Sequence, residues 1–427
     1  TDLNITQTQI SSLDLINSTA LIRVGIEFNP LLASLDVSGI TTLRHLSCFN
    51  NNLSNLNIAG ATGITNLDCS VNNLTALNFA GFNNLNTVNC SNNKITNLNI
   101  HDLPNLTFIH CADNNLNSLS FRNCPLLREF VCGNENYFTS LDLSNGLPNL
   151  VSANCINMPA LTSINLANCP NLQSVSCQGT SVSSLDLSGK QFLTGVVCFN
   201  TGLTSINVTG CTALQSMELN SNQLTTLDFS SCTSLAHLGI DNNQLTYLNI
   251  KNGSTFDLAN NLFRASGNPG LQYVCADENE VNSILGYFVQ NGMSNVNVNS
   301  FCSFTPGGSF NSINGVLKID VDNNGCGTAD PVLPQYMVKI NDGTNIGYTT
   351  TNNLGAFSFF TNVGNFSIAP QTQNPYFTVT PSSAIVNFSS AGGNIQTADF
   401  CISPNGVHND IDVTMIPISR ARPGFDA

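Results

Sequence analysis

Tryptophan is absent from this 427-residue chain, and Asp, Glu, Lys and Arg together make up only 9% of it. Asn, Ser and Thr carry the polarity instead, and between Asp142 and Asp186 there is no Asp, Glu, Lys, Arg or His at all. The few charges are lopsided: 12 basic against 26 acidic residues give a formal net charge of −14. So small a cation supply argues against nucleic acid or anionic membrane as a partner, since both are held by Lys and Arg. Long apolar runs are missing too, because polar residues interrupt every hydrophobic stretch; no membrane-spanning segment is expected. An initiator Met, a signal peptide and a lipidation motif are also missing, and the chain reads as a processed or excised segment.

What is present is periodicity. The pattern L-x-x-L-x-C-x-x-N-x-L-x-x-L-x-(L/I/F) recurs every 21 residues, most clearly at 43–63 (LRHLSCFNNNLSNLNIAGATG), 64–84, 85–105 and 106–126. Two longer copies begin at Leu127 and Leu150, and the period resumes at Leu172, Leu193, Leu214 and Leu235. Degenerate copies occupy 1–42 and the stretch from Leu271 onward. In the first half, Leu46/Cys48, Leu67/Cys69, Val88/Cys90 and Ile109/Cys111 alternate with polar residues, as in a short strand with one buried face. Asn51, Asn72, Asn93 and Asn114 fall where the chain must turn, with amides able to bond the neighbouring coil. The second half returns along the other side. The spacing resembles the leucine-rich-repeat signature, which implies a mainly β solenoid of 21-residue coils with a parallel concave sheet. Such a stack is stable only as an array, because one coil buries too little to order itself.

Sixteen cysteines are present. Eight hold the inward strand place (Cys48, Cys69, Cys90, Cys111, Cys132, Cys155, Cys177, Cys198), and Cys124, Cys169, Cys211 and Cys232 recur near coil ends. Strands about 4.8 Å apart with parallel side chains leave Cβ atoms too distant for a bridge, so these twelve are expected as buried thiols. Metal-binding Cys or His spacing is absent. Cys275, Cys302, Cys326 and Cys401 break the register. They read as two disulfides, one sealing the end of the solenoid and one bracketing a later domain, which favours an oxidising, extracytoplasmic setting.

The solenoid with its cap is read as residues 1–294 and a Pro-Gly-Gly linker as 295–311. Residues 312–403 carry strand-like runs punctuated by turns and read as a small antiparallel β-sandwich. Residues 404–427 read as the start of a further, truncated β-domain. The loop KIDVDNNGCGTAD supplies Asp320, Asp322, Asn324, the Cys326 carbonyl and Asp330 as oxygen ligands around a sharp turn. That suits calcium, or else an Asx-rich turn without metal. An EF-hand is excluded, because Pro331 stands at its twelfth place. This loop and the later TTTNNLGAFSFF (349–360) resemble Cna-B-like, prealbumin-like domains of bacterial adhesins, whose corresponding motif is a hairpin. The chain lacks the later Glu of the adhesin loop. From the Cys/Asn coils through CSFTPGG and DNNGC to ARPGFDA, the sequence resembles surface proteins of the Bacteroidota, especially flavobacteria. That resemblance implies type IX export to the exterior of a Gram-negative outer membrane, with the secretion machinery as a transient partner.

Catalysis is not expected. His45, His110 and His237 lie on outward strand places roughly 14–29 Å apart at one strand spacing per coil, which argues against a Ser–His–carboxylate or Cys–His constellation. Asp277, Glu278 and Glu280 read as a solvated cap. The outward places are mostly small and polar. His45, Phe49, Phe108, His110, Val131, Ile156, Val197 and Phe199 stand out as concave-face candidates for binding a protein or a surface glycan. The chain therefore reads as a non-catalytic, secreted or cell-surface recognition or adhesion protein. The alternative is a passive spacer in a larger secretion or gliding assembly.

Overall fold

The computed structural model describes residues 1–15, 17–134, 137–303, 309–372, 374–390 and 392–406. The expected linker thus lies partly, and the expected further β-domain almost wholly, outside the described residues. Two compact units are present, one built on Thr1–Ser300 and the other on residues 301–303 and 309 onward.

In the first unit, the front half of each coil forms a short strand. Thirteen of them make one parallel sheet: Asp2–Thr6, Arg23–Glu27, His45–Ser47, Asn66–Asp68, Thr87–Asn89, Phe108–His110, Glu129–Gly133, Ser152–Ile156, Ser174–Ser176, Gly195–Val197, Ser216–Glu218, His237–Gly239 and Phe263–Arg264. Each pairs with the next one coil on, as in His45↔Asn66, Leu46↔Leu67 and Ser47↔Asp68. The alternation decides the faces. Leu46, Leu67, Val88 and Ile109, with the cysteines that follow, are buried in one continuous core. Back halves pair more sparsely, for example Ser34–Asp36 with Asn55–Asn57 and Ser184–Asp186 with Ser205–Asn207.

The ladder asparagines explain why coils must stack. Asn93 Nδ2 donates to the carbonyl of Cys69 in the preceding coil at 3.0 Å and to that of Cys90 in its own at 3.2 Å. Its Oδ1 accepts the amide of Leu74 at 2.9 Å. Asn51, Asn72, Asn114, Asn222, Asn243 and Asn268 bond in the same way. Backbone groups at the turn that would otherwise be buried unpaired are thus satisfied by the next coil's side chain. The cysteines near coil ends do a smaller version of this: Cys124 Sγ donates to Ile100 O at 3.3 Å and Cys211 Sγ to Leu187 O at 3.1 Å. Lys190 stands one coil from both Cys169 and Cys211, is buried, and bonds Leu166 O at 3.0 Å.

Two expectations fail here. Cys177 and Cys198 form a disulfide with Cα atoms 4.8 Å apart, so the inward cysteines are not all thiols. That separation lies within the bridging range, and strand twist lets neighbouring Cα–Cβ vectors converge where rigidly parallel ones would not. The other ten cysteines of the twelve are buried and outside the disulfides. The stretch from Leu271 is also not a further front strand. Tyr273–Cys275 pairs with Tyr247–Asn249 and Asn297–Asn299 on the back of the stack. Helix Val281–Gln290 follows, burying Val281, Ile284 and Phe288. Phe263 meets Phe256, Tyr287 and Phe288 with ring centroids 5.2, 5.1 and 6.1 Å away, which covers the end of the core.

The cap is not a solvated acidic patch either. Asp277 Oδ2 accepts the amides of Asn252 and Gly253 at 3.1 and 2.8 Å, and Glu278 pairs with Lys251 at 2.8 Å. Glu280 is 4% exposed, and its Oε1 accepts the Phe256 amide at 2.8 Å.

The second unit has two sheets around one apolar core. Ile346–Thr350, Met337–Asn341, Gly364–Pro370 and Ala384–Phe388 pair antiparallel in that order. Ala356–Thr361, Asn311–Ile319, Phe400–Pro404 and Phe377–Thr380 form the other sheet, in which Asn311–Ile319 runs parallel to Phe400–Pro404 and Ile395–Thr397. Residues 349–360 make no hairpin: Ile346–Thr350 and Ala356–Thr361 belong to different sheets. Cys326 and Cys401 are bridged, with Cα atoms 5.6 Å apart. Cys275 and Cys302 are each disulfide-bonded.

Candidate functional site

Strand register arranges the outward side chains of the thirteen-stranded sheet in rows. One runs Arg23, His45, Asn66, Thr87, Phe108, Glu129. A second runs Gly25, Ser47, Asp68, Asn89, His110, Val131. Across the first strands these rows line a groove of about 740 Å³, walled by Asp2, Arg23, Glu27, His45, Asp68 and Phe108 among others. In a chain with so few charges, four charged residues share this one recess.

The sequence candidates scatter along this face. His45 and Phe108 line the groove. Phe108 and His110 project together, ring centroids 6.5 Å apart and nearly perpendicular. Burial pushes the His110 pKa down against the opposing pull of Asp113 and Asp68, which favours a neutral ring. Phe49 sits at the margin with its ring 5.1 Å from that of Phe28. Val131, Ile156 and Val197 are half-buried on later strands, and Phe199 is exposed. The eight residues therefore do not form one site; only the N-terminal members gather.

At the other end of the sheet lies an arrangement that the histidine spacing argued against. Ser216 Oγ lies 3.3 Å from His237 Nδ1, and His237 Nε2 lies 2.9 Å from Glu218 Oε1. The histidines stand far from one another, but a single His needs only its neighbours on adjacent strands. Arg264 Nη2 holds both Glu218 oxygens at 2.8 and 2.6 Å, and its Nε reaches Asp241 at 3.3 Å. Gly239 makes room: a Cβ there would stand 2.2 Å from Glu218 Oε2. Acyl transfer also needs preorganised donors for an oxyanion. Ser216 lies in a flat strand whose amide is committed to Thr194 O at 3.1 Å, and Glu218 is neutralised by Arg264. The cluster is an ion network. Glu218 and Asp241 were visible as outward charges on neighbouring coils. Arg264 was hidden, because its coil is longer than the 21-residue period.

In the second unit, carboxylate oxygens of Asp320, Asp322 and Asp330 lie within 4.8 Å of one another. Asp320 is 2% exposed. Burial pushes its pKa up, but bonds from the Gly325 and Asn324 amides and from Ser403 Oγ outweigh burial and hold it below the ordinary value. Asn324 turns its Nδ2 to Asp322 at 2.6 Å, so its amide acts as a donor inside the cluster. Three carboxylates are hard oxygen donors of the kind calcium takes, and would fill part of its six to eight places.

Among the described residues, no helix is long and apolar enough to cross a membrane. No protein-family model matches the chain, and no curated protein matches it. Solved structures do. The functional domain of InlJ from Listeria monocytogenes, which includes a cysteine ladder, is 19% identical, with a TM-score of 0.49 over 94% of this chain and 80% of that one. The leucine-rich effector YopM from Yersinia pestis is 19% identical, with a TM-score of 0.45 over 65% and 79%. An internalin, InlF, from Listeria monocytogenes is 17% identical, with a TM-score of 0.41 over 62% and 79%. The chain is a mainly β protein, a solenoid of leucine-rich coils with a parallel sheet, followed by an antiparallel sheet region.

Proposed function

We propose that this protein is a non-catalytic recognition module whose ligand, a protein displayed on or near a cell surface, occupies the N-terminal groove of the solenoid sheet. The groove carries the reading: a recess of about 740 Å³ that gathers Asp2, Arg23, Glu27 and Asp68 beside His45 and Phe108. Residence outside the cytoplasm is part of the proposal and is supported by the Cys177–Cys198 and Cys326–Cys401 disulfides. Type IX export, an adhesin-like kinship of the second unit and calcium in its Asp320 loop are further proposals, resting on the sequence resemblance and, for calcium, on the carboxylate cluster. One observation favours a passive spacer: Ser152, Asn154, Ser174, Ser176 and Gly195 give the middle of the sheet a small, neutral surface.

The test is affinity capture from a cell-surface extract with the immobilised chain and its Phe108→Ser/His110→Ser variant. A captured protein whose binding weakens by more than about 1 kcal/mol in the variant, with melting unchanged, supports recognition. Identical capture by both proteins, or none by either, favours the spacer.

A further inference from the structure

The two charged regions of the sheet differ in how they are balanced. At the C-terminal end, Glu218 and Asp241 are both ion-paired with Arg264. In the N-terminal groove, Arg23 is taken by Asp2 at 3.7 Å, and Glu27 and Asp68 have only neutral donors. Ser47 Oγ bonds Glu27 Oε1 at 2.6 Å. Ser70 gives its amide and hydroxyl to Asp68 Oδ1 at 3.0 and 2.6 Å, and Asn89 Nδ2 reaches Oδ2 at 3.4 Å. Among the described residues neither carboxylate forms an ion pair. Asp68 stands directly across from Ser47 in the strand register, so the two acids flank Ser47 from either side. Gly25, the partner of Ser47 on the other side, carries no side chain into the groove. A recess in which Asp2, Glu27 and Asp68 outnumber Arg23 concentrates cations.

The rim adds a second observation. At the turn after each front strand one residue is left-handed, usually Asn, Asp or Gly: Asn50, Asn92, Asp113, Asn134, Asn157, Gly179, Asn200, Asn242 and Gly267. Gln7, Phe28, Val71 and Ser221 hold that place instead, and of these Phe28 and Val71, with φ of 55° and 54°, are the apolar ones. Their side chains are 40% and 44% exposed, with the Phe28 ring edge-on to that of Phe49. Phe28 directly follows Glu27, and Val71 comes three residues after Asp68. Each uncompensated acid is therefore bordered by a strained, exposed apolar residue.

Building on the recognition reading, we propose that the groove takes a basic protein segment, one Lys or Arg seated over Ser47 between Glu27 and Asp68 with apolar neighbours against Phe28, Phe49 and Val71. Charge complementarity selects this occupant: phosphate-bearing ligands would be repelled, and a neutral glycan would leave both carboxylates without a cation.

The probes are labelled peptides of alternating Arg and Leu or alternating Glu and Leu, titrated at 0.15 M salt against the full chain. Glu27→Gln/Asp68→Asn removes two charges and keeps an acceptor oxygen for the Ser47 and Ser70 bonds, giving up only the 3.4 Å bond from Asn89. Asp36→Asn/Asp142→Asn removes two charges from the back strands and is the control for the net charge. We expect the Arg peptide to bind the wild type and to weaken about tenfold, about 1.4 kcal/mol, in the groove variant and less than about twofold in the control. Equal losses in both variants would reduce the effect to bulk acidity and overturn the proposal, as would tighter binding of the Glu peptide or no binding of the Arg peptide. If the Arg peptide fails while Phe108→Ser/His110→Ser still abolishes surface-protein capture, recognition stands and only the basic-segment assignment falls.

Discussion

At the scale of single residues, the asparagine at the turn does more than the leucines to define a coil, because it joins three backbone groups in two coils. Its removal leaves buried carbonyls and an amide unpaired, each costing about 1–3 kcal/mol. Asn93→Ala is therefore expected to destabilise the solenoid by about 3 kcal/mol in chemical denaturation. Asn93→Thr should cost less, because Thr180 and Thr201 take that place in two coils and still bond Cys177 O and Cys198 O at 2.8 Å. Equal losses would mean the hydrogen bonds are not what holds the turn. Those two Thr coils are the ones joined by the Cys177–Cys198 bridge. The asparagine role was legible from its spacing alone. The bridge was not, since it depends on how far two adjacent side-chain vectors converge.

Whole elements were harder to place, because both halves of a coil carry the same L-x-x-L-x-Φ pattern. Leu271, Val274 and Ala276 fit a front strand as well as a back one. Asn268, three residues ahead and already bonded to Ile240 O and Ala265 O, makes them the back half. The cap that follows buries Glu280, whose Oε2 meets no partner among the described residues. Burial pushes its pKa up, the Phe256 amide opposes this, and Asp277 adds to the rise. The unfolded chain ionises this carboxyl near its ordinary value of about 4.3, whereas the folded chain holds the proton to higher pH. The stabilising contribution is therefore full below the unfolded value and lost as pH rises through the folded one. Glu280→Gln should remove this dependence: the wild-type-minus-variant stability difference, read from melts between pH 4 and pH 7, should fall as pH rises. A flat difference would show that Glu280 titrates as an exposed group does. In the second unit, the proposed calcium loop makes an opposite demand, because three clustered carboxylates repel until a cation arrives. Millimolar calcium is expected to raise the melting temperature of the second unit by ligand linkage, about 2.7 kcal/mol at a hundredfold excess over Kd, and Asp322→Ala to abolish the shift. A melt indifferent to chelator would leave the loop as an Asx-rich turn.

Across the whole molecule, the inward cysteines are packing residues in a continuous core. Burial raises the pKa of Cys69 and Cys90 well above the ordinary thiol value, and a hydrogen bond with Cys132 together with burial does so for Cys111; such thiols are unreactive while the fold persists. Anaerobic denaturation without reductant should therefore expose the 10 thiols outside the disulfides, whereas the native protein should show almost none. Recovery of only a few after denaturation would mean that oxidation runs along the stack beyond Cys177 and Cys198.

The sequence by itself determined the solenoid. Its period sets which residues face inward, and the Asn at each turn obliges coils to stack, so local pattern and global fold agree. The Cys326–Cys401 bridge and the outward identities of Phe108 and His110 were equally legible, since each follows from strand alternation or from cysteines that break a register. Only the tertiary structure decided what those outward residues amount to. Register across separate coils places Glu27 and Asp68 on either side of Ser47, Arg264 against Glu218 and Asp241, and Ser216 against His237. It also leaves the first pair of acids without a cation and supplies one to the second. Those relations depend on distances between residues about 20 to 46 positions apart, to which a linear pattern of hydrophobicity is blind.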